Sequence, residues 1–197
     1  MEKKLQGIKK KVTECTKCEL SKTRNNSVPG KGNYKADVIF VGEAPGKNED
    51  MKGEPFIGIA GKRLSKALES AGITRDQVYI TNIVKCRPPK NRIPTTTERD
   101  TCQNYLKKEI EIIKPKIICV LGNTAFNSLL DGKEIIKFRG KIVRKNNQLY
   151  FLTVHPAATI YNQKLINVLK KDIKKLFKLI RELKNRKEIK VDIEHTS

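Results

Sequence analysis

The sequence predicts an α/β fold in which helices cover both faces of a parallel sheet. Two observations support this prediction: four short apolar runs have the length and composition of buried strands, and segments with helical periodicity alternate with them. Parallel strands need long crossover connections, and helices usually provide them. Alternation of this kind is therefore typical of a layered α/β domain.

The predicted strands are short runs rich in β-branched residues. They cover residues 37–41, 78–84, 116–121 and 150–154. The segment RGKIVRKNNQLY, residues 139–150, is predicted to form a hairpin with Asn146 and Asn147 at its turn.

The helices between the strands are indicated by periodicity and by end signals. The Leu and Ala residues of segment 61–72 lie on one helical face, and Gly72 ends that pattern. Thr95 and Glu98 fit a capping box at the start of the next helix, which Pro115 closes. A shorter helical pattern follows the third strand.

The chain has the length of one domain. A long helix with an apolar stripe is predicted from Asn162 to about Lys187, and the residues after it look like a loose tail. We therefore expect one domain over residues 1–188 and a flexible tail over residues 189–197. No apolar stretch approaches the roughly 18 residues of a membrane span, and the charged N-terminus has no apolar signal core, so a cytoplasmic location is expected.

The chain is strongly basic, with 42 Lys and Arg residues against 21 Asp and Glu residues and a formal net charge of +21. This balance predicts an acidic partner, and nucleic acid is the commonest one. The alternative explanation is compositional, because an AT-rich genome also produces abundant Lys, Ile and Asn. Nucleic acid is the favoured interpretation, although charge alone does not decide it.

Each predicted strand ends on residues of a chemical rather than an apolar type. They are Gly42-Glu43, Asn82, Gly122-Asn123 and His155. In open α/β sheets, ligands bind beyond the carboxyl ends of the strands. We therefore expect these four segments, which are far apart in sequence, to meet in one crevice.

Four of the five cysteines are candidate ligands of a metal centre. Cys15 and Cys18 form a C-x2-C pair, whereas Cys86 and Cys102 lie far along the chain. Four thiolates suit either zinc or a [4Fe–4S] cluster, but the wide second pair is unlike the tight knuckle of a zinc ribbon and favours the cluster. Cys119 lies inside a predicted strand and is interpreted as a small buried residue.

Several motifs, in order along the chain, resemble those of family 4 uracil-DNA glycosylases, the iron–sulfur type of bacteria and archaea. They are GEAPG at 42–46, EDMKGEPFIGIAG at 49–61, TNIVKCRPPKNRIPT at 81–95 and HPAA at 155–158, together with the four spaced cysteines. The resemblance runs from about Cys15 to about Leu176. It implies a three-layer α/β/α sandwich on a four-stranded parallel sheet. It also implies a [4Fe–4S] cluster with a structural task, bound by Cys15, Cys18, Cys86 and Cys102.

The resemblance further implies a pocket for a uracil that is flipped out of DNA. Phe56 is expected to stack on the base, and Asn82 to pair with its N3–H and O4 groups. His155 is expected to donate a hydrogen bond to O2 of the leaving uracil anion. Gly42 is expected to let the backbone approach the base closely. Each residue also has a plainer interpretation, as a core side chain, a strand cap or a turn residue.

Several residues are candidates for the catalytic carboxylate and its water. The wider superfamily has a water-activating Asp at the position of Ala44, so another group is needed here. Glu43 is the first candidate, because a carboxylate stabilises an oxocarbenium-like sugar or positions water. Glu49 and Asp50 are the alternatives, and Asn91 is a candidate for holding the water.

Uracil-containing DNA is therefore the expected partner of a monofunctional, monomeric glycosylase. Two alternatives stay open: a non-catalytic iron–sulfur DNA-binding accessory protein, and a glycosylase for another deaminated base such as hypoxanthine. No lysine is singled out as a Schiff-base nucleophile, so strand cleavage is not expected. The candidate phosphate contacts are Lys47, Arg87, Lys90 and Arg92.

Overall fold

Seven strands form one mixed sheet in the computed structural model, which describes residues 1–195. They are β1 (Lys31–Gly32), β2 (Val38–Gly42), β3 (Tyr79–Asn82), β4 (Ile117–Leu121), β5 (Ile142–Lys145), β6 (Gln148–Thr153) and β7 (Ile193–Glu194). Their order across the sheet is β1-β3-β2-β4-β6-β5-β7.

The centre of the sheet confirms the predicted strands, but the prediction of a sheet of only four parallel strands is wrong. β3, β2, β4 and β6 pair in parallel and correspond to the four apolar runs. In addition, β1 and β5 pair antiparallel with β3 and β6, and β7 pairs parallel with β5. β1 and β7 are each 2 residues long, too short to carry an alternating pattern, so pairing with a neighbour defines them instead.

β5 and β6 form the predicted hairpin. Asn146 and Asn147 lie at its turn with φ angles of +50° and +61°. Two successive positive φ angles are what a two-residue type I′ turn requires, and asparagine tolerates them. The hairpin adds an antiparallel edge to the parallel centre of the sheet.

Nine α-helices accompany the sheet within residues 1–195. They are α1 (Glu2–Thr13), α2 (Leu20–Thr23), α3 (Lys47–Lys52), α4 (Ile59–Glu69), α5 (Thr96–Ile113), α6 (Asn123–Leu130), α7 (Ile135–Phe138), α8 (Ala158–Tyr161) and α9 (Lys164–Lys184). Two 3₁₀ turns cover Arg75–Gln77 and Pro89–Asn91. None of these helices combines the length and the apolar character that a membrane crossing requires.

The predicted helices correspond to α4, α5, α6 and α9, with ends that differ by a few residues. The capping box of α5 is present: the N–H of Glu98 donates to the Thr95 hydroxyl (3.2 Å), and the Glu98 carboxylate accepts from the Thr95 N–H (2.8 Å). α1 was not predicted, because lysines surround its apolar residues. Leu5, Ile8 and Val12 are nevertheless buried at helical spacing, so the signal was present.

The sheet separates two layers of the core. Ile39 and Val41 of β2 pack on one face, and Val38 and Phe40 on the other, as the alternation of a strand requires. α1, α5 and α6 contribute to the first layer, and α4 and α9 to the second. The expected order of helices, sheet and helices is therefore present, around a larger sheet.

The segment expected to be a loose tail is attached to the sheet over most of its length. β7 pairs with β5, and Ile189 and Val191 pack against the core. Asp192 donates its N–H to the first carbonyl of β5 (2.9 Å) and accepts that residue's N–H through its carboxylate (2.8 Å). These contacts depend on where β5 lies in the fold, and the sequence of the C-terminal segment does not indicate that position. Residues 196–197 lie outside the described residues, and the single-domain boundary stays a prediction.

Candidate functional site

A cavity of about 530 Å³ opens at the carboxyl ends of β2, β3 and β6. Six of the predicted site residues line it: Glu43, Glu49, Phe56, Asn82, Asn91 and His155. Asn123 does not line it, because its side-chain oxygen instead accepts the N–H of Ile135 at the start of α7 (2.7 Å). Three of the four predicted strand ends therefore meet in one crevice, and the prediction is wrong for the fourth, Gly122-Asn123, which does not line the cavity.

Gly42 lies behind the cavity, between two of its walls. A Cβ atom at this position would lie 2.5 Å from the Asn82 side-chain oxygen and 2.5 Å from Cζ of Phe56. Only glycine therefore allows the two side chains to approach the end of β2 this closely. The ring of Phe56 also lies beside that of His155, with 5.7 Å between ring centroids. The residues form one continuous, partly aromatic pocket.

Asn82 presents an unused hydrogen-bond acceptor. It is the last residue of β3 and pairs in register with Gly42 of β2. Its side-chain oxygen is buried and has no hydrogen-bond partner within residues 1–195. A buried polar atom without a partner destabilises a protein by about 1–3 kcal/mol, so such an atom needs an explanation. A ligand with an N–H group would supply the missing partner.

His155 is held as a neutral hydrogen-bond donor. Its Nδ1 accepts the N–H of Ala157 (3.1 Å), so the ring proton of the neutral form lies on Nε2. Desolvation lowers the pKa of His155 to about 4, although the negative charge of Glu49 acts in the opposite direction. At neutral pH the imidazole is therefore uncharged, and its Nε2–H is available to a ligand.

Glu43 follows β2 directly and is half-buried in the cavity wall. The hydroxyl of Thr124 in α6 donates a hydrogen bond to its Oε2. One carboxylate oxygen is thereby oriented, and the other is left to face a ligand or water. Thr124 was not predicted as a site residue, although it lies only one residue beyond the Gly122-Asn123 strand end.

Glu49 and Asp50 are adjacent in α3 but have different surroundings. Oε1 of Glu49 accepts the backbone N–H groups of Ile57 (2.9 Å) and Gly58 (2.7 Å), while the residue lines the cavity. Asp50 does not line the cavity, and its carboxylate accepts hydrogen bonds from the backbone and side chain of Asn25 (2.9 and 2.6 Å). Of the two alternatives, Glu49 is therefore in reach of a ligand.

Asn91 lines the cavity and is the last residue of the 3₁₀ turn Pro89–Asn91. Its side-chain oxygen accepts a hydrogen bond from Nε of Arg87 (2.7 Å), which orients the amide and leaves its NH₂ group to donate. Arg92 forms a two-pronged ion pair with Glu98 (2.8 and 2.7 Å). This pair makes Arg92 a weaker candidate for a phosphate contact than the sequence suggested.

The rim of the cavity carries large exposed apolar side chains. Tyr161 is 90% exposed, Ile59 is 59% exposed and Ile160 is 40% exposed, and all three line the cavity. Apolar groups of this size at the edge of a site are suited to contact with another molecule. In DNA-binding proteins, comparable side chains insert between bases.

The four predicted cysteine ligands line a second, small cavity between α1, α2, the segment after β3, and α5. They are Cys15, Cys18, Cys86 and Cys102. Nη1 of Arg24 donates to Sγ of Cys86 (2.9 Å), and the N–H of Lys85 donates to Sγ of Cys102 (3.3 Å). Thiolates that bind an iron–sulfur cluster commonly accept hydrogen bonds from N–H groups in this way. Cys119 is buried in β4 and does not line this cavity.

Among residues 1–195, no group of three or more His, Cys, Asp or Glu side chains is arranged to hold one ion. The four cysteines nevertheless surround the same cavity. The four cysteines therefore stay a candidate set of cluster ligands, as the sequence predicts.

Comparisons with known proteins identify relatives of this chain over most of its length. A model of the uracil DNA glycosylase superfamily matches residues 29–183, a range that contains every residue lining the first cavity. The chain is 46% identical over 185 residues to a type-4 uracil-DNA glycosylase of Sulfurisphaera tokodaii, covering 89% of this chain and 84% of the relative. It is 44% identical over 184 residues to that of Archaeoglobus fulgidus, covering 89% and 92%. It is 40% identical over 186 residues to that of Thermotoga maritima, covering 92% and 97%.

Proposed function

The chain belongs to the uracil DNA glycosylase superfamily, and we propose that it removes uracil from DNA by hydrolysing the N-glycosidic bond. Its relatives carry the name of this activity. The observation that carries the proposal is the buried side-chain oxygen of Asn82, which has no hydrogen-bond partner within residues 1–195 and belongs to a residue that lines the same cavity as Phe56 and His155. A flat base with an N–H group at its edge complements these three side chains.

Base recognition follows from the hydrogen-bonding capacity of Asn82. Its amide oxygen accepts the N3–H of uracil, and its NH₂ group donates to O4. Cytosine has an acceptor at N3 and a donor at the neighbouring exocyclic position, so neither contact is made while the amide keeps this orientation. Because the amide is buried, the unmatched contacts are costly and the pocket discriminates against cytosine. The ring of Phe56 supports the face of the base.

His155 stabilises the leaving group. Breaking the glycosidic bond places negative charge on uracil, largely on O2. The Nε2–H of neutral His155 donates to this oxygen, and one such donor in a dry site contributes about 3 kcal/mol to the stability of the transition state. The Ala157 N–H holds the ring in the required tautomer.

The sugar develops positive charge as the bond breaks, and a carboxylate near it lowers the barrier. We assign this role to Glu43, whose Oε2 is held by Thr124 and whose other oxygen is left to orient the attacking water. The amide NH₂ of Asn91 is the second group that holds the water. Glu49 supports the pocket through the backbone that follows Phe56 and adds negative charge near His155.

We assign the second cavity to a [4Fe–4S] cluster held by Cys15, Cys18, Cys86 and Cys102. When bound, the cluster supplies covalent cross-links between distant parts of the chain rather than reaction chemistry. These cross-links join the segment after α1 to the segment after β3 and to α5. Because β3 carries Asn82 at its end, the cross-links also stabilise the approach to the base pocket. Uracil-containing DNA is the proposed partner, and a monomeric state and a cytoplasmic location stay predictions.

The experiment is a single-turnover cleavage assay on four oligonucleotides that differ only at one position, which carries uracil, cytosine, thymine or hypoxanthine. Alkali then cleaves the DNA at any abasic site that has formed. The proposal expects product from uracil alone. Binding to every oligonucleotide without any product would favour a DNA-binding accessory protein instead. Product from hypoxanthine but not from uracil would favour the glycosylase for another deaminated base.

A further inference from the structure

The backbone of Phe56 has an unusual conformation. Its φ is +53°, in the left-handed region that bulky residues rarely adopt. Strain of this kind persists only where the surroundings hold it in place. One constraint is Gly61 of α4, where a Cβ atom would lie 1.7 Å from the carbonyl oxygen of Phe56. The loop between α3 and α4 is therefore pressed against α4 and needs anchors from elsewhere.

Two side chains from outside the loop hold this backbone from opposite sides. The carboxylate of Glu49 accepts hydrogen bonds from the two N–H groups that follow Phe56 (2.9 and 2.7 Å). The guanidinium of Arg75 binds the carbonyl side: Nη1 donates to the carbonyl of Phe56 (2.8 Å) and Nη2 to that of Pro55 (3.0 Å). The carbonyl groups of Pro55 and Phe56 and the N–H groups of Ile57 and Gly58 are thus all held by hydrogen bonds.

Arg75 itself lies outside the base cavity. It begins the 3₁₀ turn that precedes β3 and is half-buried. The rigid, planar fork of an arginine matches two neighbouring carbonyl oxygens. A lysine carries the same charge on one compact ammonium group and cannot reproduce this paired contact. The geometry therefore depends on the shape of the arginine and not only on its charge.

We propose that Arg75 is a positioning residue of the base pocket. It holds the backbone of Phe56 in the strained conformation that presents the phenyl ring to the flipped uracil. The inference rests on the proposed function, because it takes Phe56 as the surface on which the base stacks. It predicts that Arg75 affects cleavage through Phe56 and through no other group.

The test is a double-mutant cycle of Arg75→Lys and Phe56→Ala, measured as single-turnover cleavage of uracil DNA at saturating protein. Arg75→Lys should slow the wild-type protein about tenfold, which is below the roughly 100-fold that a 1 Å misplacement can cost. In the Phe56→Ala background the same substitution should change the rate less than about twofold. Arg99→Lys is the matched control: Arg99 is also half-buried, but it bonds Asn127 and Ser128 of α6 and should leave the rate unchanged.

A second readout is the affinity for DNA with an abasic-site analogue, which has no base to stack. Arg75→Lys should leave this affinity unchanged. An equal loss of cleavage in both backgrounds, no loss in either, or a parallel loss of abasic-site affinity from misfolding would each overturn the role of Arg75. A full cleavage rate for Phe56→Ala alone would instead overturn the stacking role in the proposed function, and the inference with it.

Discussion

The Nδ1 atom of His155 accepts the backbone N–H of Ala157, two residues further along the chain, at 3.1 Å. Pro156 lies between them and stiffens the turn. The bond leaves the proton of the neutral ring on Nε2, which is the atom the mechanism needs. A sequence motif of four residues, HPAA, therefore both supplies the donor and selects its tautomer.

Replacing His155 should affect the chemical step far more than DNA binding. We expect His155→Ala to lower the single-turnover rate by about 100-fold to 1000-fold, because one hydrogen bond to the leaving anion is lost. The dissociation constant for uracil DNA should change by less than about threefold, since backbone phosphates dominate affinity. His195→Ala is the control, because His195 bonds the carbonyl of Leu130 far from the cavity. An unchanged rate for His155→Ala would remove the anion-stabilising role.

The lowered pKa of His155 predicts a pH-dependent stability. The folded protein has a pKa of about 4 at this group, against an ordinary value of 6.5. Between these values the unfolded chain binds a proton that the folded chain does not, so the free energy of unfolding falls as the pH drops from about 6.5 to about 4. In the parent, this group should lower the free energy of unfolding by up to about 3 kcal/mol between these two pH values, and His155→Gln should lack that decrease. Urea unfolding of both proteins at several pH values in this range provides the measurement. Identical pH profiles for the variant and the parent would contradict the assignment.

The side-chain oxygen of Asn82 has no hydrogen-bond partner among the described residues, and this predicts that its removal raises stability but lowers activity. We expect Asn82→Leu to raise the free energy of unfolding by about 1–3 kcal/mol, because the unsatisfied buried group disappears, and to abolish uracil cleavage. Asn123→Leu is the matched control: it removes an oxygen that does accept a hydrogen bond, so it should lower stability. A loss of stability in Asn82→Leu equal to that of the control would show that the amide is an ordinary structural cap.

The roles of Glu43 and Glu49 can be distinguished by replacing each carboxylate with a neutral amide. Glu43→Gln should slow cleavage about 100-fold with little change in thermal stability, because Thr124 still bonds the amide oxygen. Glu49→Gln should lower both stability and rate, since a neutral oxygen binds the two loop N–H groups less strongly. Rates and melting temperatures of the two variants decide the assignment. Full activity of Glu43→Gln would transfer the catalytic role to Glu49.

The cysteine cavity predicts a loss of bound iron on substitution. We expect Cys86→Ser to reduce iron content, remove the brown colour of the purified protein and lower its thermal stability. Cys119→Ala is the control, because Cys119 lies in β4 outside that cavity and should leave the iron content unchanged. Analysis of metal and sulfide in both variants provides the measurement. Parent protein that contains zinc and no iron would overturn the cluster.

The elements that could be predicted from the sequence are those with signals inside the element itself. The four central strands are continuous apolar runs, the capping box needs only Thr95 and Glu98, and the hairpin turn needs only Asn146 and Asn147. β1 and β7 have no such signal, because two-residue strands exist only through pairing with β3 and β5. The attachment of the C-terminal segment was missed for the same reason.

The candidate site divides in a similar way. Residues at strand ends could be found from their position, since the fold itself brings strand ends together. The choice between Glu49 and Asp50 could not, because neighbouring residues of one helix point in different directions, and tertiary contacts decide which faces the cavity. Thr124 and Arg75 act on Glu43 and on the backbone of Phe56 across the fold, and nothing in their local sequence indicates those contacts.

The most direct test of the account is a crystal structure of the protein with uracil bound. We predict that uracil occupies the cavity with its ring against Phe56, its N3–H bonded to the side-chain oxygen of Asn82, and its O2 facing Nε2 of His155. Uracil bound at another place, or an Asn82 oxygen that still lacks a partner in the complex, would contradict the account.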